Sequence, residues 1–496
     1  MTNLSTNYSA VDFFLEDLPR TLFPLSVNKI LVEEGADDLL AFANRILSGK
    51  GSFPPQRRVH ANKDAFHLRR TVKLDAVSEY FLYHLIFRNR TRFRKPHSKR
   101  RQHFGYRFEN GRPIAPSKSY GDFKFKIWEN ALFTGEFIGF DIASYFNSVY
   151  HHDLHAWFAA TGAKTDDVEA FGKFFREINA GRSLDCLPQG LYPAKMIGSD
   201  FLRFVEESSS IRASRIVRFM DDFYLFDDST DVLKADFAEV QRLLGLKGLS
   251  VNASKTEIGG TPKTDEANDN IDELKKRLLR RRRRMIVSRY EGDDYEEEQD
   301  DDGEAVSEEE VQFILSLLNK GHLSEEDAEL ILVVMRNHVD RIEEYLPLFA
   351  QGFPHLAKNF YGLCADANDK DAVAKIVLAV AREGGHIAEY QLFWFGMMLE
   401  GYLMDTKAAP DIIDALTKHQ SATDISRAKV LEIPDLRFGL PEMREMYLRE
   451  GRSDWLAWAS AVGSRAMKRS ARNYLLGYFG NGSEMNKLIA KILQKK

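Results

Sequence analysis

The sequence predicts an α+β protein in which a mixed strand-and-helix region comes first and an all-helical region follows. Two observations predict the mixed region. Asp221 and Asp222 stand between two apolar runs within residues 216–227, a pattern typical of a β-hairpin with an acidic turn, and a second apolar run over 137–140 ends in Asp141. A third observation predicts the helical region, because apolar residues recur at helical spacing from Ser307 onward.

Composition limits the protein classes that need to be considered. The chain has 496 residues, 44% of them hydrophobic, which suffices for a large core and for two or three domains. Two cysteines far apart, Cys186 and Cys364, exclude a disulfide framework and a cysteine-rich zinc site. We find no signal peptide and no apolar run near the ~18 residues that a membrane helix needs. We therefore expect a cytoplasmic protein without a membrane partner.

The first 120 residues are predicted to contain helices and a strongly basic stretch. An amphipathic helix is predicted over 28–47, and a second helix over 72–87. The polar lead before the first helix contains Tyr8 and is expected to be loose and mobile. Residues 51–110 hold fifteen Lys and Arg against four Asp and Glu, although the net charge of the chain is −5. Clustered cations bind phosphate groups, so this stretch is a candidate surface for nucleotides or nucleic acid.

Four short motifs follow in a fixed order. An apolar strand ends in Asp141, and an aromatic pair follows at 145–146. The later motifs are Leu-Pro-Gln-Gly at 187–190, Phe-Met-Asp-Asp at 219–222 and Val-Asn-Ala-Ser-Lys-Thr at 251–256. Carboxylates held at the ends of buried strands suit Mg²⁺, which prefers oxygen ligands and keeps substrate phosphates as partners. Taken alone, the acidic pair could equally be a solvated turn.

Taken together, the four motifs resemble motifs A, B, C and D of a reverse transcriptase palm. The resemblance covers roughly residues 50–260. Two positions depart from the family pattern: Phe219 replaces the usual tyrosine, and Tyr192-Pro193 and Lys195-Met196 occur where many relatives have Ser-Pro. Because the ring at 219 is kept and only its hydroxyl is lost, we expect the metal site to be unaffected.

The resemblance implies specific roles for the residues at the motif positions. Asp141, Asp221 and Asp222, with the carbonyl of Ile142, would hold two Mg²⁺ or Mn²⁺ ions. Lys255 would protonate or bind the leaving pyrophosphate. The predicted substrate-binding residues are Phe146 as the ring that excludes a 2′-hydroxyl, Gln189 and Gly190 against the incoming nucleotide, and Lys63, Arg69 and Arg70 as contacts to the triphosphate of a dNTP.

A charged segment and a helical region follow the motifs. Residues 275–289 carry nine basic residues and no acid, and residues 291–310 carry thirteen acids and no base, which is typical of a linker. Ser307 begins a capping box, and Asp231 is predicted to cap an earlier helix over 231–244. We expect the chain to lack a typical thumb. The expected segments are an N-terminal helical lead (1–50), basic fingers (51–120), a palm (121–265), a charged linker (266–306) and a HEAT-like α-helical repeat domain (307–496).

A palm followed by helical repeats resembles the prophage-encoded type of bacterial abortive-infection reverse transcriptases, which act in phage defence. The resemblance implies a homo-oligomer that polymerises dNTPs without a template and starts from a protein hydroxyl, so that single-stranded DNA is attached to the protein. Among eighteen tyrosines we rank Tyr8 first as the priming residue, ahead of Tyr106, Tyr120 and Tyr150.

Two alternatives stay open. The first is a template-copying RNA-directed DNA polymerase of the retron or group II intron kind, against which the missing thumb and the lack of an endonuclease motif argue. The second is a non-catalytic palm that serves as a scaffold or sensor, against which the complete set of three carboxylates argues.

Overall fold

The computed structural model describes residues 8–94, 98–259, 275, 278–279, 306–319, 322–383 and 387–495. Most of the predicted charged linker, including the run from Arg280 to Arg284, lies outside the described residues. The chain divides into two compact units. The first comprises residues 1–21, 43–57 and 71–271, and the second comprises residues 22–42, 58–70 and 272–496.

A five-stranded mixed sheet forms the centre of the first unit. Its spatial order is β3-β7-β8-β6-β9, with β3 parallel to β7 and the other neighbours antiparallel. A strand from the basic stretch, β3, therefore belongs to the same sheet as the acidic hairpin. The strands of the chain are β1 (Arg57–Asn62), β2 (Leu68–Lys73), β3 (Arg101–Phe104), β4 (Phe108–Glu109), β5 (Arg112–Pro113), β6 (Glu136–Phe140), β7 (Arg215–Phe219), β8 (Asp222–Asp227) and β9 (Glu257–Gly259).

Helices surround this sheet. The helix α4 packs on one face, where Phe123 and Ile127 bury their side chains against Val217 and Phe226 of the sheet. The helices that precede the second half of the chain are α1 (Ala10–Asp17), α2 (Ser26–Leu47), α3 (Ala76–Arg88), α4 (Pro116–Ala131), α5 (Tyr145–Ser148), α6 (His151–Ala160), α7 (Thr165–Ile178), α8 (Tyr192–Phe201), α9 (Arg203–Glu206) and α10 (Thr230–Gly245).

The predicted helices of this region are present, with local corrections. The helix predicted over 72–87 begins only at Ala76, because residues 72–73 belong to β2. The backbone of α2 departs from helical geometry at Gly35. The N-cap of α10 is Ser229, whose hydroxyl accepts a hydrogen bond from the backbone of Val232, so the prediction that Asp231 caps this helix is wrong. Asp231 lies instead in the first turn, where a negative charge favours the helix dipole.

From Ser307 onward, the described residues form helices without strands. The capping box at Ser307 is confirmed, since its side chain and that of Glu310 exchange hydrogen bonds with each other's backbone. The helices are α11 (Glu308–Leu318), α12 (Glu325–Val334), α13 (Leu346–Gly352), α14 (Ala357–Cys364), α15 (Lys370–Glu383), α16 (Glu389–Met398), α17 (Ala409–Lys418), α18 (Asp424–Leu431), α19 (Leu440–Glu450), α20 (Trp455–Gly463), α21 (Arg469–Gly480) and α22 (Glu484–Gln494).

Alternate helices of this region pack against one another. The series α12, α14, α16, α18, α20 and α22 makes successive contacts, and so does the series α13, α15 and α17. One apolar core runs from Leu278 and Leu279 to Leu440. Among the described residues, no helix combines the length and the apolar character that crossing a bilayer requires.

The early part of α2 packs within the second unit. The carboxylate of Glu432 accepts hydrogen bonds from the backbone amides of Ser26 and Val27, both at 2.9 Å, and so caps the start of α2. Lys491 donates to Asp38 at 2.8 Å. Residues 406 positions apart therefore contribute to one helix terminus.

Candidate active site

The acidic hairpin predicted over residues 216–227 is present as β7 and β8. Phe219 pairs with Asp222 across the two strands, so the turn consists of Met220 and Asp221. The prediction that both aspartates occupy the turn is therefore wrong by one residue, because Asp222 already begins β8. Met220 has a φ of 53°, the left-handed backbone that a mirror-image hairpin turn requires at its first position.

Asp141 directly follows β6, beside the hairpin. Phe140 pairs with Phe223 in the antiparallel ladder of β6 and β8, so the next residues along, Asp141 and Asp222, stand opposite each other. Asp141 is 9% exposed, and its Oδ1 oxygen is buried without a hydrogen-bond partner among the described residues. The fold thus brings together the two acidic motifs that are eighty residues apart in the sequence.

Ile142, the predicted carbonyl ligand, forms an isolated antiparallel bridge with Val251. The two hydrogen bonds of this bridge use neighbouring groups. Asn252 donates its amide to the carbonyl of Asp141 at 2.9 Å, and Ala143 donates its amide to Ser250 at 2.8 Å. The carbonyl of Ile142 takes no part in these bonds, which is compatible with the ligand role predicted for it.

Lys255 lies next to the carboxylates. It ends a short 3₁₀ turn before β9, and its Nζ donates to Oδ2 of Asp141 at 2.8 Å. This hydrogen bond and the surrounding carboxylates raise the pKa of Lys255 above its ordinary value, although partial burial opposes the shift. The ammonium group therefore stays protonated beside the acidic cluster.

The nearby lysines do not fully neutralise the negative charges of Asp221 and Asp222 at the hairpin tip. Burial, followed by the repulsion of Asp222 and Asp141, raises the pKa of Asp221 to about 6, with Lys255 acting in the opposite direction. Burial and Asp141 likewise raise the pKa of Asp222, while Lys255 and Lys124 lower it. Crowded carboxylates of this kind favour a bound cation.

These residues fit a divalent metal ion. The Oδ1 oxygen of Asp141 is buried without a hydrogen-bond partner among the described residues, and the pKa values of Asp221 and Asp222 are raised, so a cation would neutralise charge at this point. Among the described residues, no three His, Cys, Asp or Glu side chains already enclose one point as a metal site. Mg²⁺ is typically held by only one or two carboxylates together with water and substrate phosphates, so such a ready-made enclosure is not required.

The predicted nucleotide-binding residues Phe146, Gln189 and Gly190 lie close together. Gln189 donates its amide to the side chain of Asn147 at 3.1 Å, directly beside Phe146. Gly190 has a φ of 98°, which only glycine adopts without strain. Phe146 is half-buried, whereas the neighbouring Tyr145 is buried with its hydroxyl bound to the carbonyl of Gly198 at 2.6 Å. Of the two rings, Phe146 is the accessible one.

The predicted triphosphate contacts lie on the hairpin of β1 and β2. Lys63 is exposed at the loop of this hairpin, and its amide donates to the carbonyl of His67 at 2.8 Å. Arg69 and Arg70 are exposed on β2. All three fall in the part of the chain, residues 58–70, that groups with the second unit. Their role as contacts to the triphosphate stays a prediction.

Tyr8, the predicted priming residue, is held by its neighbours. Its hydroxyl donates to Glu16 at 2.6 Å, and the guanidinium of Arg112 lies 4.2 Å from the centre of its ring. The ring also packs against Phe87 and Phe108. Burial, and then the hydrogen bond to Glu16, raise the pKa of Tyr8 well above its ordinary value. The expectation that Tyr8 belongs to a loose lead is therefore wrong.

Two neighbours of the site were missed by sequence reasoning. The positive charge of Lys124 in α4 lowers the pKa of Asp222, against the larger effect of burial, which raises it. The side chain of Asn147 accepts a hydrogen bond from the amide of Gln189. Neither lies in a motif, and only the position of Asn147 one residue after Phe146 could have indicated it. A separate cleft of about 820 Å³, lined by α2, α3, α6 and α7, contains none of the predicted site residues.

Comparison with known proteins identifies the region that carries these motifs. Residues 96–274 match the family model described as reverse transcriptase (RNA-dependent DNA polymerase). This region is a reverse transcriptase domain. It includes Asp141, Asp221 and Asp222.

Wider comparisons add little to this domain assignment. No curated protein matches the chain. A telomerase from Candida albicans, solved in complex with a TWJ fragment of telomeric RNA, is similar at 10% identity with a TM-score of 0.27. That alignment covers 77% of this chain, and the chain spans 65% of the telomerase chain. A likeness at this level does not define a shared fold.

Proposed function

We propose that the protein is a DNA polymerase of phage defence that adds dNTPs by two-metal nucleotidyl transfer, without a template and from a protein primer. The observation that carries the catalytic part is the meeting of Asp141 with Asp221 and Asp222 at one end of the sheet, with Lys255 beside them. A degenerate palm would not need to keep three crowded carboxylates, two of which, Asp221 and Asp222, have pKa values raised by burial and then by mutual repulsion.

The side chains around the carboxylates have distinct roles in this proposal. Two Mg²⁺ or Mn²⁺ ions would be held by Asp141, Asp221, Asp222 and the carbonyl of Ile142. When bound, these ions neutralise phosphate charge and make a hydroxyl more acidic. Phe146 excludes a 2′-hydroxyl sterically. As the attacking oxygen bonds to the α-phosphorus and pyrophosphate leaves, Lys255 supplies a proton or a positive charge to the leaving group.

The first nucleotide is added to a tyrosine hydroxyl, for which Tyr8 is our candidate. Its raised pKa means that the phenol is neutral and needs a base, and Glu16 already accepts its hydrogen bond at 2.6 Å. When the Tyr8 oxygen bonds to phosphorus, its proton passes to Glu16. Tethering the growing strand then raises the effective concentration of its 3′ end without any contact to a duplex.

The helical second unit supports the biological part of the proposal. Two alternating series of helices pack along one continuous core, as in HEAT-like repeats. We propose that this unit takes the place of a thumb and builds a homo-oligomer. Light scattering of the purified protein tests the assembly, and phage plating on bacteria that express wild type or Asp221→Ala tests the defence role.

The decisive experiment is incorporation of labelled dATP by purified protein with Mg²⁺, with and without added template, followed by denaturation. We expect label that migrates with the protein in the absence of template. Tyr8→Phe should abolish this label while keeping the ring contacts, and Tyr478→Phe, an exposed tyrosine of α21, serves as the matched control. Product that is entirely free DNA would contradict priming by the protein and favour templated or de novo synthesis.

A further inference from the structure

The first strand of the acidic hairpin contains a fully buried arginine. Arg218 is in β7, two residues before the turn, and has no solvent exposure. Its guanidinium binds Glu206 through Nε and through Nη2, the latter at 2.9 Å, and Nη1 donates to the carbonyl of Met220 at 2.8 Å. A charge is stable in a protein core only when it is paired, so the buried guanidinium of Arg218 depends on these contacts.

Glu206 is held from a second side by His103. Glu206 ends α9 and is 2% exposed, and its Oε1 lies 2.9 Å from Nδ1 of His103. The other ring nitrogen of His103 contacts the carbonyl of Arg94 at 3.1 Å. Burial alone would raise the pKa of Glu206, but Arg218 and His103 together lower it to about 2. The three side chains therefore form one closed network.

The network contacts the hairpin turn at Met220, the residue of the turn with a positive φ. Met220 adopts a φ of 53°, in the left-handed backbone region that is unfavourable for a residue other than glycine. Such a conformation persists only when its surroundings fix it. The carbonyl that Arg218 binds belongs to the peptide group that joins Met220 to Asp221. Its orientation therefore sets the direction in which the backbone of Asp221 leaves the turn.

We propose that Arg218, held by Glu206 and His103, is a positioning residue that keeps the hairpin turn in its left-handed form and so places Asp221 for nucleotidyl transfer. This assignment rests on the proposed function. A purely structural role would need only the ion pair with Glu206. The positioning role additionally needs the third contact, from Nη1 to the turn, which only the planar fork of arginine can make at the same time.

The substitution Arg218→Lys separates the two roles. Lysine keeps a positive charge against Glu206, but it is a point charge that cannot also span to the carbonyl of Met220. We expect a melting temperature close to that of wild type and a kcat that falls roughly ten- to hundredfold, because small misplacements of catalytic groups have effects of this size. The KM for dNTP should change by less than about threefold.

Adding Met220→Gly to Arg218→Lys should recover most of the lost kcat, because glycine adopts left-handed backbone without a steric penalty. Arg444→Lys is the matched control, since Arg444 is also fully buried and donates to backbone carbonyls, at 2.8 Å to Leu431 and 2.7 Å to Asp435. We expect it to leave kcat unchanged. Wild-type kcat in Arg218→Lys, or a loss that Met220→Gly does not recover, would overturn the positioning role.

Hydrogen exchange separates this inference from the proposed function. In the protein without metal or nucleotide, the peptide that contains Met220 and Asp221 should exchange at least tenfold faster in Arg218→Lys than in wild type. Unchanged exchange would show that Arg218 does not hold the turn and would refute the inference. Wild-type protein that incorporates no nucleotide, together with faster exchange in the variant, would refute the proposed function and leave the role of Arg218 in the turn supported.

Discussion

Replacing Asp221 by asparagine should stabilise the metal-free protein at neutral pH. Burial and the neighbouring carboxylates raise the pKa of Asp221 from 3.8 to about 6. Because the folded-state pKa is raised, the folded protein binds the proton more tightly than the unfolded chain does. Stability is therefore lost as the pH rises from about 4 to 6, and the full penalty applies above that range.

The size of the effect follows from this shift. Two pKa units correspond to about 3 kcal/mol, which is an upper limit because Asp221 keeps some contact with water. In a unit of this size, a change of 1 kcal/mol moves the melting temperature by about 2–4 °C. We therefore expect Asp221→Asn to melt higher than wild type at pH 7.5 in EDTA, by at most roughly 6–12 °C. The gain should disappear near pH 4.

Calorimetry at both pH values measures this difference. Asp122→Asn is the control, since it removes an exposed carboxylate from α4 and should leave the melting temperature nearly unchanged. Added Mg²⁺ should raise the melting temperature of wild type more than that of Asp221→Asn, because a ligand stabilises the state that binds it. An Asp221→Asn variant that melts at or below wild type at pH 7.5 would refute the electrostatic reasoning, and so would an equal gain at pH 4.

Other substitutions test the remaining site residues. Asp222→Ala should abolish dNTP incorporation without unfolding the protein, and near-normal incorporation would refute the metal assignment. Phe146→Ala should raise the use of rNTPs relative to dNTPs in competition assays, and an unchanged ratio would show that selection of the sugar lies elsewhere. Lys255→Met should lower kcat about a hundredfold if the lysine acts as general acid, whereas a loss confined to KM would indicate binding alone. Gly190→Ala should reduce thermal stability and activity together, because alanine at a φ of 98° is strained, and wild-type behaviour would contradict the turn geometry.

Local patterns predicted the elements of the site better than their arrangement. The acidic hairpin was predictable because two apolar runs flank Asp221 and Asp222, yet the turn lies one residue earlier. The pairing of Phe219 with Asp222 and the left-handed backbone of Met220 decide that position, and turn propensity does not reveal either of them. The capping hydroxyl of Ser229 was missed for a similar reason, because Asp231 is an equally good capping residue by type.

Contacts between distant segments could not be predicted. His103 and Arg218 are neighbours only because β3 pairs in parallel with β7, and a single sequence carries no signal for that pairing. A charged residue inside the apolar strand of residues 215–219 was the one available sign, since arginine is seldom buried without a partner. Its partner Glu206 lies at the end of a short helix that no motif marks.

The cap on α2 has a consequence for the order in which the protein folds during synthesis. Ser26 and Val27 leave the ribosome long before Glu432, which satisfies their amides, has been translated. At about 5–20 residues per second, the 406 residues between Ser26 and Glu432 take roughly 20–80 s. During that time the early part of α2 lacks its cap and its contact through Asp38 with Lys491. Because most helical stability in proteins comes from tertiary packing, we expect the early part of α2 to become stable only after these late segments have emerged.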